Sequence, residues 1–161
     1  VTNVTTETGA GQWGAALSYA AKVYGLECAV YQVKVSMQQK PYRSSIMRTF
    51  GATVEGSPSM STRAGKDIIT REPNHPGSLG TAISEAIELA TTTPNCKYTL
   101  GSVLNHVAIH QSIIGLEAEK QMAMAGEYPD VVIACFGDMP VDDHAFIKIH
   151  SVPPSYLLHG E

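Results

Sequence analysis

A glycine-rich turn between a β-branched run and an amphipathic stretch limits the fold of this chain more than any other feature. Residues 6–17 read TETGAGQWGAAL, with glycines at positions 9, 11 and 14. Residues 1–6 are predicted to form a buried strand, and residues 11–24 place apolar side chains at helical spacing. Gly25 is suited to end that helix. A strand that turns tightly into a helix begins an α/β unit.

The rest of the chain continues this alternation of strands and helices. The sequence predicts a fold of the α/β class, with a largely parallel sheet flanked by helices. Such sheets bind ligands beyond the carboxyl ends of their strands, which places ETGAGQ and LGSVLNH at the functional edge. The further predicted strands cover 28–35, 52–54, 97–100 and 129–136, and the further helices cover 42–50, 62–71, 79–90 and a long segment from an Asn105 cap to about 125.

Charge and hydropathy exclude two classes of partner. The formal net charge is −4, and the 11 Lys and Arg residues are scattered, so no basic stripe is available to neutralise nucleic-acid phosphates. No apolar run approaches the ~20 residues of a membrane span, and no secretory signal is visible. The 3 cysteines are widely spaced and form no C-x-x-C pair. We therefore expect a cytoplasmic protein that binds neither nucleic acid nor membrane.

The glycine spacing G-x-G-x-x-G admits three interpretations. A dinucleotide site requires an acidic residue about 20 positions further on, but the second strand ends in Gln32, Val33 and Lys34. In the second interpretation, the backbone N–H groups at the helix N-terminus hold a carboxylate, and Glu7 moves a proton on the same molecule. In the third, the segment is only a tight turn whose glutamate caps the helix.

Histidines offer little support for a metal centre. His106 and His110 are four residues apart on one predicted helix and face the same way, as metal ligands do. No Glu of the metalloprotease pattern lies between them, and no third ligand is evident in the sequence. We therefore predict no metal site.

Several long segments resemble the β chains of tryptophan synthase, particularly those of the second, archaeal-type branch. The similarity begins with TETGAGQWGAAL and runs to SPS at residue 59. It continues through NHPGSLGTAISEAIELA, YTLGSVLNHVAIHQSIIGLEAEKQ and PDVVIAC. Trp13 and LGSVLNHV are the features that point to the second branch. The resemblance covers residues from about 5 to 135.

The resemblance implies a fold-type II pyridoxal-phosphate enzyme that converts L-serine and indole to L-tryptophan. Glu7 matches the carboxylate that acts as acid and base on the serine hydroxyl and on indole. Gly101 and Ser102 match a pair close to the cofactor ring. The loop that holds the substrate carboxylate is matched by Thr8, Gly9, Ala10, Gly11 and Gln12.

The resemblance also implies an organisation into three parts and a set of partners. Residues 1–101 correspond to the mobile lobe that closes over the substrate, and residues 102–136 correspond to a helix and strand that return to the cofactor domain. Residues 137–161 form a tail without family resemblance. The expected partners are an amino-acid substrate, indole, the tryptophan synthase α subunit and further copies of the chain in a homo-oligomer.

Two family features are not found in the sequence. The family's Schiff-base lysine lies in an HK segment upstream of ETGAGQ, and no lysine here stands in that context. The phosphate loop that should follow VVIAC is replaced by FGDMPVDD. We therefore expect the chain to be inactive alone and to hold no pyridoxal phosphate by itself. A non-catalytic module that binds small carboxylates or a protein partner is the alternative, and a nucleotide-binding α/β domain is the third hypothesis.

Overall fold

The computed structural model describes residues 1–101 and 104–127. Their contacts divide them into two compact units, one formed by Val1–Gly101 and the other containing residues 104–127. The predicted strand 129–136, the tail 137–161 and Ser102 lie outside the described residues.

The first unit is built on a four-stranded sheet. Strands β1 (Asn3–Thr8), β2 (Glu27–Val33), β3 (Thr53–Ser57) and β4 (Cys96–Tyr98) lie in the order β3-β2-β1-β4. Each neighbouring pair is parallel. The predicted parallel sheet flanked by helices is therefore confirmed, with β1 at an interior position and its carboxyl end leading into the glycine turn.

Helices connect the strands, and their ends follow the local sequence. Gly25 and Gly126 end two helices in the left-handed conformation, as a residue without Cβ does most easily. Thr62 and Ser78 begin two others by accepting a hydrogen bond from a backbone N–H three residues later. The helices are α1 (Gln12–Tyr24), α2 (Lys34–Gln39), α3 (Pro41–Thr49), α4 (Arg63–Arg71), α5 (Leu79–Thr92), α6 (Asn105–Gln111) and α7 (Ile113–Ala125).

Apolar side chains pack on both faces of the sheet. One cluster joins the sheet to α1 and α3 and includes Val30, Ala21 and the fully buried Met47. The opposite cluster joins Tyr31 of β2 to Ala82 and Ala86 of α5. Because successive residues of a strand point to opposite faces, Val30 and Tyr31 serve different clusters. The sheet is therefore covered by helices on both sides, as parallel sheets usually are.

Two predicted elements differ from the structure. The predicted strand 28–35 ends at Val33, where the backbone turns into the short α2. The predicted single helix 105–125 is interrupted at Ser112, between α6 and α7. The Ser112 hydroxyl donates to the Ile109 carbonyl oxygen at 2.6 Å. A side chain that bonds the preceding turn in this way competes with the regular backbone bonds of a helix.

Candidate functional site

The carboxyl end of β1 carries the first two predicted site residues. Glu7 pairs with Tyr31 of β2, and Thr8 pairs with Gln32. The Thr8 hydroxyl oxygen accepts a hydrogen bond from the Gly14 N–H at 3.2 Å, so Thr8 caps α1 from the preceding strand. Because the side chains of a strand alternate, the Glu7 carboxyl points to the opposite face of the sheet.

Glu7 is buried, with 4% of its surface exposed, and it has a phenolic partner. The Tyr98 hydroxyl donates to Glu7 Oε2 at 2.6 Å. Burial raises the pKa of the Glu7 carboxyl above its ordinary value, and the hydrogen bond from Tyr98 offsets part of that rise. A carboxyl whose pKa is raised toward neutrality is suited to exchange protons.

The backbone between Thr8 and α1 presents unpaired donors. Within residues 1–101 and 104–127, no acceptor bonds the N–H groups of Gly9, Ala10, Gly11, Gln12 and Trp13. These groups lie at the N-terminus of a 13-residue helix, where the peptide dipoles add to a partial positive charge. The segment is therefore equipped to accept an anion.

Gly11 allows this turn to adopt its shape. Its φ is 100°, and a Cβ there would lie 2.7 Å from Arg43 Cβ and 3.1 Å from Gln32 Nε2. Gln32 is fully buried, and its Oε1 accepts from the Ser44 hydroxyl at 2.8 Å. Among the described residues, nothing bonds Gln32 Nε2. The strand end that would hold an acid in a dinucleotide site thus holds an amide beside the glycine turn.

Gly101 packs against Trp13 in the first turn of α1. A Cβ at Gly101 would lie 3.2 Å from Cγ of the Trp13 ring. The Trp13 indole N–H donates to Thr6 Oγ1 at 2.8 Å, and the Thr6 hydroxyl donates to the Thr99 carbonyl oxygen. Trp13 therefore ties the segment after β4 to β1. Ser102, the second residue predicted to lie by the cofactor, is outside the described residues.

The structure places Glu7, the loop Thr8–Gln12 and Gly101 near one edge of the sheet, but Glu7 and Thr8 project from opposite faces of β1. Sequence reasoning missed Tyr98 and Gln32. Gln32 was noted only as the place of an absent acid, and Tyr98 only as part of a resembling segment. Parallel pairing places Tyr98 beside Thr5, two residues before Glu7, and this neighbour relation follows from the strand order.

We predict that Glu7→Gln increases the free energy of unfolding at pH 8. A carboxyl whose folded-state pKa is raised stabilises the fold below its ordinary pKa of 4.5, and this contribution is lost as pH rises through the folded-state pKa. Glutamine resembles the neutral form, and its oxygen accepts from Tyr98. The increase in the free energy of unfolding, measured by urea unfolding, should therefore become smaller as the pH is lowered toward 4. Glu27→Gln, at an exposed position, is the control and should show no such gain.

Two further features are absent from residues 1–101 and 104–127. They contain no group of three or more His, Cys, Asp or Glu side chains arranged to hold a metal. His106 and His110 are both exposed on α6. In the same part of the chain, no helix combines the length and the apolar character that crossing a membrane requires.

The described residues do not fit the anchor that pyridoxal phosphate requires. The cofactor is held through a lysine amine in a pocket. Within residues 1–101 and 104–127, Lys34 is half-buried and each other lysine is exposed. Among the described residues, no lysine is enclosed beside Gly101 or the loop Thr8–Gln12.

Three proteins that are similar to this chain carry the same name. The chain is 56% identical over 137 residues to tryptophan synthase beta chain 2 of Thermotoga maritima, covering 85% of the chain and 32% of that protein. It is 58% identical to the protein of the same name from Aquifex aeolicus, with the same coverage of 85% and 32%. For Methanosarcina mazei the identity is 58%, covering 83% and 30%. The chain thus spans about a third of the length of these relatives, and the resemblance seen in the sequence is confirmed.

A solved structure and a family model complete the comparison. The crystal structure of a pyridoxal 5'-phosphate-dependent aspartate racemase matches with a TM-score of 0.49 and 26% identity, covering 76% of the chain and 30% of the racemase. The model of the pyridoxal-phosphate dependent enzymes matches residues 2–139. The chain therefore belongs to the family of pyridoxal-phosphate dependent enzymes.

Proposed function

We propose that this chain supplies the substrate-binding lobe of an enzyme like tryptophan synthase β, in which an amino-acid carboxylate is held by the loop Thr8–Gln12 beside Glu7. The parent reaction would join L-serine and indole to form L-tryptophan with loss of water. Residues 1–101 would act as the lobe that closes over the substrate.

The observation that carries the proposal is the row of backbone amides from Gly9 to Trp13, which have no acceptor within residues 1–101 and 104–127. Several convergent N–H donors at a helix N-terminus bind a carboxylate without a charged side chain. Gly11 allows the loop to pack closely against Arg43 and Gln32, because a Cβ there would lie 2.7 Å from Arg43 Cβ and 3.1 Å from Gln32 Nε2. The buried Gln32 amide, whose Nε2 has no partner in the described part of the chain, adds a dipole of the same sign beneath the turn.

Glu7 would perform the proton transfers. As an acid it would protonate the departing hydroxyl of L-serine, and as a base it would take the proton released by indole. Burial raises its pKa above the ordinary value, so the neutral, proton-donating form is more available than in an exposed glutamate, and the ionised form serves as the base. A carboxylate beside a bound anion is unfavourable if it only binds, but it is useful if it is protonated when substrate enters.

Catalytic turnover by this chain alone is not part of the proposal. Pyridoxal phosphate, when bound in such enzymes, supplies the electron sink. We expect pyridoxal phosphate and borohydride to label the described lysines only partially and without preference for one of them, because each is exposed or half-buried and none lies in an enclosed site. Peptide mapping after reduction tests this, and stoichiometric labelling of one lysine would contradict it.

The binding function is tested by recording the backbone amide resonances of the ¹⁵N-labelled chain during titration with L-serine. We expect shifts concentrated at residues 9–13. Gly11→Ala, whose new Cβ would meet Arg43 Cβ at 2.7 Å, should abolish them. Gly25→Ala is the matched control, because Gly25 also has a positive φ of 67° but lies at the other end of α1.

Other outcomes of this titration would favour the alternatives. Equal shifts by inorganic phosphate or a nicotinamide dinucleotide would support the nucleotide-binding hypothesis. Binding of L-serine that persists in Gly11→Ala would contradict the proposed loop. A chain that binds carboxylates at residues 9–13 and lacks any catalytic partner would be the non-catalytic binding module.

The assembly is proposed from the family and from the surface. Exposed apolar side chains on α1 include Tyr19, Val23 and Tyr24, and those on α7 include Ile114 and Met124. Such surfaces commonly mark contacts between proteins. We propose that they serve a homo-oligomer or contacts with an α subunit, and sedimentation of the chain alone and with an α subunit distinguishes the two.

A further inference from the structure

Tyr98 and Glu7 form a pair whose geometry fixes where a proton can reside. Tyr98 is the last residue of β4, and its hydroxyl lies 2.6 Å from Glu7 Oε2 across the edge of β1. Among residues 1–101 and 104–127, no other side chain bonds to the Glu7 carboxyl, and its remaining donor is the backbone N–H of Glu7 itself. The two oxygens of this carboxyl are therefore not equivalent.

We propose that Tyr98 is a positioning residue that occupies Glu7 Oε2 as a permanent donor and thereby assigns proton exchange to Oε1. While the Tyr98 hydroxyl donates to Oε2, that oxygen keeps the carbonyl role, so the neutral carboxyl carries its proton on Oε1. Among the described residues, the Tyr98 hydroxyl has no other acceptor to which it could turn. This inference rests on the proposed acid–base role of Glu7, and it adds which oxygen performs that role and which residue selects it.

The surroundings of the phenol support a permanent donor. Tyr98 is half-buried and packs against the apolar cluster of Tyr31, Ala82 and Ala86. Burial and the neighbouring Glu7 carboxylate both raise the pKa of Tyr98, so the phenol stays protonated while Glu7 titrates. The hydrogen bond also favours the charged form of Glu7 and limits the effect of burial on its pKa.

The geometry has a second consequence for the carboxyl. A glutamate side chain rotates about several bonds, and holding one oxygen removes much of that freedom. Tyr98 and Glu7 are 91 residues apart in the chain. The orientation of the proposed acid–base group therefore depends on the correct pairing of β4 with β1.

The test is a pH titration of the chain labelled with ¹³C at the glutamate carboxyl, comparing the parent with Tyr98→Phe. Loss of the donor should raise the midpoint of Glu7, because the charged form loses its hydrogen bond. Tyr31→Phe is the matched control: Tyr31 is a buried tyrosine of the same cluster that pairs with Glu7 in register but does not bond its carboxyl. In Tyr31→Phe, the titration midpoint of Glu7 should equal that of the parent chain.

A measurement on the unaltered chain covers the case in which Tyr98→Phe fails to fold. With ¹³C at tyrosine Cζ, the Tyr98 resonance should move with the Glu7 midpoint and stop moving in Glu7→Gln, while Tyr31 follows neither. An unchanged Glu7 midpoint in folded Tyr98→Phe, or a Tyr98 resonance that ignores Glu7, would overturn the inference. Neither result depends on L-serine, so failure of the substrate proposal remains distinguishable.

Discussion

Glu85→Ala is expected to lower the free energy of unfolding by about 3–5 kcal/mol, because three buried donors lose their acceptor and each unpaired group costs about 1–3 kcal/mol. Glu85 lies on α5, and its side chain is fully buried. Its Oε1 accepts from the Ser59 N–H at 2.9 Å, the Ser59 hydroxyl at 2.7 Å and the Thr62 hydroxyl at 2.6 Å. Truncation would leave these three donors without their acceptor.

The position of these donors explains the size of the expected effect. Ser59 and Thr62 belong to the loop between β3 and α4, and Thr62 also caps α4 by accepting from the Gly65 N–H at 3.0 Å. Each buried polar group left unpaired costs about 1–3 kcal/mol. Glu85 therefore joins α5 to a loop that has few apolar side chains of its own.

Glu85→Gln is the control that separates hydrogen bonding from charge. All the bonds reach Oε1, and no described residue bonds Oε2. An amide oxygen in place of Oε1 keeps the three donors paired, so we expect a loss of no more than about 1 kcal/mol. Urea unfolding measures both variants. Equal losses for Ala and Gln would show that the Glu85 charge, rather than its acceptor geometry, stabilises the loop.

Gly65→Ala is expected to destabilise the chain by about 3 kcal/mol or more. A Cβ at Gly65 would lie 2.2 Å from the Ser59 carbonyl oxygen, 2.3 Å from Glu85 Oε1 and 2.7 Å from the Ser59 nitrogen. Two of these are backbone atoms, which cannot turn away as a flexible side chain does. Overpacking of this kind ordinarily costs about 1–3 kcal/mol, and here it also opens the Glu85 bonds.

Gly80→Ala makes the same chemical change but is expected to increase the free energy of unfolding. Gly80 is exposed in the first turn of α5, and the nearest atom of the described residues to its new Cβ would be Ser78 Oγ at 3.9 Å. Alanine is a better helix former, so we expect a gain of up to about 1 kcal/mol. Thermal unfolding of both variants checks the pair. A folded Gly65→Ala as stable as the parent would contradict the close approach of α4 to the loop.

The parts of the fold that depend on local sequence were predicted well. Helix α1 was expected at 11–24 and lies at Gln12–Tyr24, because apolar periodicity and Gly25 define it locally. The strand preceding it was expected at 1–6 and lies at Asn3–Thr8. Thr62 and Ser78 show why the starts of α4 and α5 were also located: each carries its own cap.

Features that depend on distant residues were not visible in the sequence. Nothing near Glu85 indicates that its partners lie 23 and 26 residues earlier in the chain. Tyr98 could be linked to Glu7 only once β4 was known to pair with β1. The roles given to Thr8–Gln12 and Glu7 come from resemblance and stay predictions. The structure adds a buried Glu7 carboxyl and loop amides that have no acceptor among the described residues.

The central claim is that the loop amides and Glu7 act on one bound molecule, and the pKa of Glu7 with and without L-serine tests it most directly. A carboxylate held at residues 9–13 close to Glu7 disfavours the charged form of that side chain. By linkage, protonation of Glu7 must favour L-serine to the same degree. Saturating L-serine should therefore raise the midpoint of the ¹³C-labelled Glu7 carboxyl, and L-serine affinity should fall as pH rises through it. Shifts at residues 9–13 with an unchanged Glu7 midpoint would contradict a shared site.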